Sequence, residues 1–92
     1  MKFNDNYIIK EVLGNYILID LSGQMKDVIK LNETSKTIIS YIQQNLTREE
    51  IIDKMLSEYE VDKEAFVNDL DELLNKLKNL NVIYDWRATR QR

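Results

Sequence analysis

The chain has 92 residues and a formal net charge of −3, and it contains neither cysteine nor histidine. This composition excludes disulfides, thiolate or imidazole catalysis and the usual zinc sites. The length allows a single domain. Because no apolar run approaches the roughly 18 residues of a membrane span and the N-terminus lacks the apolar centre of a signal peptide, we expect a cytoplasmic protein that is not bound to a membrane.

Three β-strands are predicted in the first third of the chain. Residues 7–13 and 16–21 are rich in strand-forming residues, and Gly14-Asn15 between them is a tight-turn signal. Residues 28–31 follow a polar turn and form a third, short strand. Two hairpin connections therefore give an antiparallel meander. In the second strand a period of two puts three apolar residues on one face: Ile17, Ile19 and Leu21.

The pattern changes to helical spacing at Asn32, which is a suitable N-cap. The first helix is predicted over about 33–44 and is closed by Asn45. Residues 47–50 fit a capping box and predict a second helix over about 48–58.

The third predicted helix spans about 63–80 behind the N-cap Asp62. Val67 and Leu74 lie beside its apolar stripe and widen it, and residues 82–84 return as an extended segment. The predicted class is α+β and winged-helix-like, a three-stranded antiparallel β-meander followed by a three-helix bundle (βββααα). Residues 1–84 form the domain, and 85–92 form a basic tail expected to be flexible. The stripe expected to face the core is Phe66, Leu70, Leu73, Leu77 and Leu80.

Chemical motifs of enzymes are missing from the sequence. Two separated glycines make neither a dinucleotide fingerprint nor a phosphate-binding loop. Carboxylate pairs such as Asp69/Glu72 are expected on a solvated helix face. We therefore predict a binding module that is not an enzyme and uses no cofactor or metal.

The run from Asp20 to Ile83 resembles the PqqD family, named for a protein of pyrroloquinoline-quinone biosynthesis. The order and spacing of several short pieces carry the resemblance, and Asn81 departs from the pattern because many relatives have glycine there. The turn at 22–27 is also less aromatic than usual. The matching pieces are Ile19-Asp20-Leu21, 29–35, 46–52, Tyr59-Glu60-Val61-Asp62, 69–74 and 77–83.

The resemblance implies a function in peptide recognition. Family members bind the leader segment of a ribosomally made, post-translationally modified peptide as an added strand, next to the third strand and over the third helix. They deliver it to a modifying enzyme, which is a radical enzyme, a cyclase or a leader protease. The outer strands of a meander have unpaired amides and carbonyls that suit strand addition. The residues predicted to form the site are Val28, Ile29, Lys30 and Leu31 on the strand and Val67, Leu70, Asp71, Leu74 and Lys78 on the helix.

Two alternatives remain open from the sequence. One is a winged-helix DNA-binding protein, although the second and third helices are acidic and would repel a duplex. The other is a structural or dimerising subunit of a complex, joined through the free strand or the helix stripe. The sequence leaves open whether the chain is a monomer or a homodimer, and we expect no nucleic acid partner.

Overall fold

The computed structural model describes residues 1–23 and 29–84. Within these ranges the helices and strands follow the predicted order, with one short strand added at the start of the chain. Position 28, most of the polar turn and the basic tail 85–92 lie outside the described residues. The elements are β1 (Lys2–Phe3), β2 (Tyr7–Val12), β3 (Asn15–Asp20), β4 (Ile29–Leu31), α1 (Glu33–Gln43), α2 (Arg48–Glu58), α3 (Lys63–Asn79) and β5 (Ile83–Tyr84).

Strands β2, β3 and β4 form the predicted antiparallel meander in that order. Tyr16 lies opposite Leu31, and Leu18 lies opposite Ile29. Leu18 is fully buried, and the side chains of these pairs pack in or against the core. Side chains alternate along a strand. Ile17 and Ile19, which were predicted to share one face, therefore lie on the outer face of the sheet, away from the core.

Capping side chains fix the predicted helix starts. The Asn32 side chain accepts a hydrogen bond from the Ser35 amide at 2.7 Å, and the Asp62 side chain accepts one from Ala65 at 2.9 Å. The capping box of α2 is complete, since the Thr47 hydroxyl accepts from Glu50 and the Glu50 carboxylate accepts from Thr47. The three predicted helices are therefore confirmed, with ends within one residue of their predicted positions.

Left-handed asparagines end two of the helices. Asn45 follows α1 with a φ of 67°, and Asn81 follows α3 with a φ of 64°. Asparagine tolerates this conformation better than most residues other than glycine. Asn81 thus supplies the backbone geometry that a glycine would supply at the same position.

Strand β1 was not predicted from the sequence. It pairs antiparallel with β5, so that Phe3 lies opposite Ile83. Asn4 extends the contact, because its amide donates to the Val82 carbonyl and its side chain donates to the Asn81 carbonyl, both at 2.8 Å. The extended segment predicted over 82–84 is therefore the partner of the first residues of the chain.

The core combines one face of the meander with the inner faces of the helices. On α3 the buried face is rotated relative to the predicted apolar stripe. Leu74, expected beside the stripe, is fully buried, whereas Leu73, expected within it, is only half-buried. Leu80 is half-buried as well. The buried side chains of α3 are Phe66, Leu70, Leu74 and Leu77.

Candidate functional site

Strand β4 is an edge of the meander. It pairs with β3 on one side, and no strand within residues 1–23 and 29–84 pairs with its other side. Backbone amides and carbonyls on the outer side of an edge strand can pair with an incoming extended chain. Within the described residues this edge of the sheet has no partner strand.

A groove of about 460 Å³ opens where β4 ends. Asn32, the residue directly after β4, lies at its margin together with Thr34 and Ser35 from the start of α1. Helix α3 forms the opposite wall. The groove thus lies between the beginning of α1 and the third helix, at the C-terminal end of β4.

The floor of the groove is apolar and its α3 wall is charged. Ile38, Phe66 and Leu73 supply the apolar surface, and Leu73 keeps part of its side chain exposed. Exposed charged side chains line the rest of the α3 wall: Asp69, Glu72 and Lys76. A groove with an apolar floor and a few charged groups at its rim suits a peptide better than a small metabolite in a closed cavity.

Three of the four predicted strand residues, Ile29, Lys30 and Leu31, form β4. Ile29 and Leu31 turn toward the core, half-buried and buried respectively, and Lys30 is exposed between them. This confirms the predicted alternation of side chains along the strand. Val28, predicted as a fourth member, lies outside the described residues.

The predicted helix residues lie elsewhere than in this groove. Leu70 and Leu74 are fully buried core residues, and Lys78 is exposed. Val67 is half-buried, and neither it nor Asp71 lines the groove. Positions 67, 71 and 78 share one flank of α3 at steps of four and seven residues, whereas the groove follows the other flank.

Asp71 shows that the flank with positions 67, 71 and 78 faces the start of α2. Its carboxylate accepts two hydrogen bonds from Arg48 at the start of α2, from Nε at 2.8 Å and from Nη2 at 3.0 Å. The hydrogen bond to Asp71 is the main cause that raises the pKa of Arg48, against the opposing effect of burial. Asp71 therefore joins α3 to α2, and its carboxylate is engaged within the protein.

Sequence reasoning missed the groove residues on α3. Leu73 was assigned to the core, and Asp69 and Glu72 were assigned to a solvated face. A usable signal was present, because Leu73 has a charged residue four positions before it, Asp69, and another three positions after it, Lys76. A leucine among charged neighbours at helical spacing indicates the boundary of a core stripe rather than its centre.

A second, smaller concavity of about 240 Å³ lies at the outer face of the meander. It is lined by Val12, Leu13 and Ile17 together with Lys30. It includes one residue of β4, Lys30, which is exposed. Among the described residues no group of three or more carboxylates is placed to hold a metal ion, and no helix there is long and apolar enough to cross a bilayer.

Comparison with known proteins identifies a family. The family described as "Coenzyme PQQ synthesis protein D (PqqD)" matches residues 15–83, which run from the start of β3 to the first residue of β5. A search of curated proteins finds no match.

Two similar solved structures share the fold. One, "TbiB1 in Complex with the TbiA(beta) Leader Peptide", has a TM-score of 0.80 and 25% identity, and the match covers 95% of this chain and 99% of that one. The other, "Lasso peptide synthetase B1 complexed with the leader peptide", has a TM-score of 0.73 and 21% identity, covering 88% of this chain and 92% of that one. Both of those proteins were solved with a leader peptide bound.

Proposed function

The chain belongs to the PqqD family, and on that premise we propose that it binds the leader segment of a ribosomally made precursor peptide. The leader adds as a strand to the outer edge of β4 and places side chains in the groove along α3. The protein performs no chemistry on the peptide. It delivers the attached core segment to a modifying enzyme, namely a radical enzyme, a cyclase or a leader protease.

The open edge of β4 beside the groove is the observation that carries this proposal. Backbone hydrogen bonds from residues 29–31 would give affinity that depends little on peptide sequence. Alternate side chains of an extended peptide point to one side, and on that side they would meet the apolar floor at Phe66 and Leu73. The likeness to TbiB1, which was solved with a leader peptide, supports the same occupant.

The amino-acid composition supports a non-catalytic function. It has no cysteine or histidine to act as nucleophile or general base near pH 7. The DNA-binding alternative is less favoured because the exposed wall of α3 contains Asp69 and Glu72, which would repel phosphates.

The substitution Leu73→Asp tests the groove. A charge on the apolar floor should weaken the binding of a peptide selected from a displayed library of random twelve-residue segments by more than tenfold, or about 1.4 kcal/mol. Leu46→Asp is the matched control, since Leu46 is also a half-buried leucine packed against the core but lies outside the groove. Affinity is measured by fluorescence anisotropy on variants shown to be folded by circular dichroism.

The position of the peptide is tested by nuclear magnetic resonance. Titration of the selected peptide should shift the amide signals of residues 29–31 and of α3 around Leu73, and it should slow hydrogen exchange at β4. Equal loss of affinity in both leucine variants, or shifts confined to the outer face of the sheet, would contradict the proposed groove.

A further inference from the structure

The charged wall of the groove has an order along α3. Asp69 and Glu72 come first, and Lys76 follows one turn later. All three side chains are exposed, and in the part of the chain that the structure describes the ion pairs join Arg48 to Glu49 and Asp71 instead. The groove therefore presents two negative charges followed by one positive charge to its occupant.

Phe66 is the apolar groove residue of α3 nearest the start of the helix, whereas Leu73 lies between Glu72 and Lys76. Phe66 precedes the carboxylates by about one turn, and Ile38 of α1 lines the same groove. With a rise of about 1.5 Å per residue, Phe66 lies about 7 Å before the midpoint of Asp69 and Glu72, and Lys76 lies about 8 Å beyond that midpoint. Phe66, the two carboxylates and Lys76 are thus nearly evenly spaced along the wall.

These intervals match the repeat of an extended chain. Side chains on one face of a strand recur every second residue, or about every 6.6 Å. A strand that lies along α3 can therefore place three successive side chains of one face against the apolar, the negative and the positive side chains of the wall.

Resting on the function proposed above, we propose that the groove selects leader segments in which an apolar, a basic and an acidic side chain occupy alternate positions in that order along α3. The apolar side chain contacts Phe66 and Ile38, the basic one lies beside Asp69 and Glu72, and the acidic one lies beside Lys76. The preferred ligand is an extended peptide with a defined order of charges and not simply a basic peptide.

The order of charges is the quantity to test, because an acidic protein attracts any basic peptide. The strongest binder from the displayed library is resynthesised as pairs of peptides. Each peptide contains one Lys and one Glu at alternate positions next to the apolar residue. The two members of a pair differ only in the order, Lys-x-Glu or Glu-x-Lys. Both chain directions are made, since the strand can run either way along α3. Composition and net charge are identical within each pair.

For at least one direction, the peptide with Lys nearer to the apolar residue should bind about fivefold more tightly at low salt. Exposed ion pairs contribute about 0.2–1 kcal/mol each, and the preference should shrink as salt is raised. In the triple variant Asp69→Lys, Glu72→Lys and Lys76→Glu the preference should invert. Asp53→Lys, an equal charge reversal at an exposed site of α2 outside the groove, should leave the order preference unchanged.

Failure of this inference can be told apart from failure of the proposed function. A library that yields no binder dependent on Leu73 would overturn the proposed function and this inference with it. Binders that depend on Leu73 but show no preference for charge order, or keep their preference in the triple variant, would overturn the charge order alone.

Discussion

Leu13 combines two properties that seldom occur together in an apolar residue. The residue is 96% exposed, and its backbone has a φ of 52°, in the left-handed region that disfavours residues with a Cβ. Gly14 follows with a φ of 81°. Two consecutive residues of positive φ in a two-residue hairpin loop are typical of a type I′ turn, for which Asn-Gly is preferred.

The substitution Leu13→Asn should therefore raise the free energy of unfolding by about 0.5–1 kcal/mol, because asparagine accepts the left-handed conformation more readily. Because Leu13 is exposed, its replacement removes little buried apolar surface. Urea denaturation monitored by circular dichroism measures the change. Gly14→Ala is the opposing control and should lower stability, since a Cβ at positive φ is strained although no atom lies within 4 Å of it. A less stable Leu13→Asn variant would contradict the turn geometry.

The turn also shows where local sequence is insufficient. Gly14-Asn15 was the expected turn, but the central residues are Leu13 and Gly14, and Asn15 already pairs with Val12. The glycine identified the hairpin correctly. Its register was decided by the pairing of Tyr7 through Val12 with the whole of β3, which a local turn signal does not contain.

At the level of single elements, the rotation of α3 about its axis decides what the groove contains. The fork between Arg48 and Asp71 fixes one flank of α3 against the start of α2. With that flank held, Leu74 turns into the core and Leu73 turns toward the groove. The ion pair thus lies on the flank of α3 opposite the groove wall.

The substitution Asp71→Asn should lower the free energy of unfolding by about 1–2 kcal/mol, because it removes the charge from a partly buried, two-pronged hydrogen bond. The side chain of Arg48 is 15% exposed and that of Asp71 is 33% exposed, so the loss should fall short of that for a fully buried pair. Thermal and urea unfolding measure it. Peptide affinity of the folded variant should change less than for Leu73→Asp, and a larger loss of affinity than of stability would indicate that Asp71 contacts the peptide directly.

The helix starts could be predicted from the sequence, but the face that α3 turns toward the core could not. Asn32, Thr47 and Asp62 each cap a helix through contacts within three residues, so local sequence determines them. Leu73 and Leu74 are adjacent leucines that both fit a stripe with Phe66 and Leu77. Which of them faces the core is decided by tertiary packing, which includes the contact of Asp71 with Arg48, 23 residues away, and periodicity alone does not contain such contacts.

On the scale of the whole molecule, β1 and β5 tie the first residues to the end of α3. Phe3 packs against the core and lies opposite Ile83, and Tyr7 donates from its hydroxyl to the Leu80 carbonyl at 2.9 Å. Burial is the main cause that raises the pKa of Tyr7. A two-residue strand is too short to show a period, which is why β1 escaped prediction from the sequence.

Deletion of residues 1–4 should lower the free energy of unfolding by about 2 kcal/mol, since it exposes apolar surface under Met1 and Phe3 and removes the pairing with β5. Phe3→Ala separates the two effects, because it keeps the backbone pairing and loses only the side chain. Urea denaturation of both variants gives the comparison. Unchanged stability in the deletion would show that the short sheet contributes nothing to the fold.

Lys2 and Tyr84 lie directly opposite each other, so the polypeptide enters and leaves this fold at one place. A unit with adjacent ends can be spliced into a surface loop of a larger host through two short connections, as a cassette, with little disturbance to either partner. The same arrangement lets a synthetic fusion hold the recognition unit close to a chosen catalyst from either end.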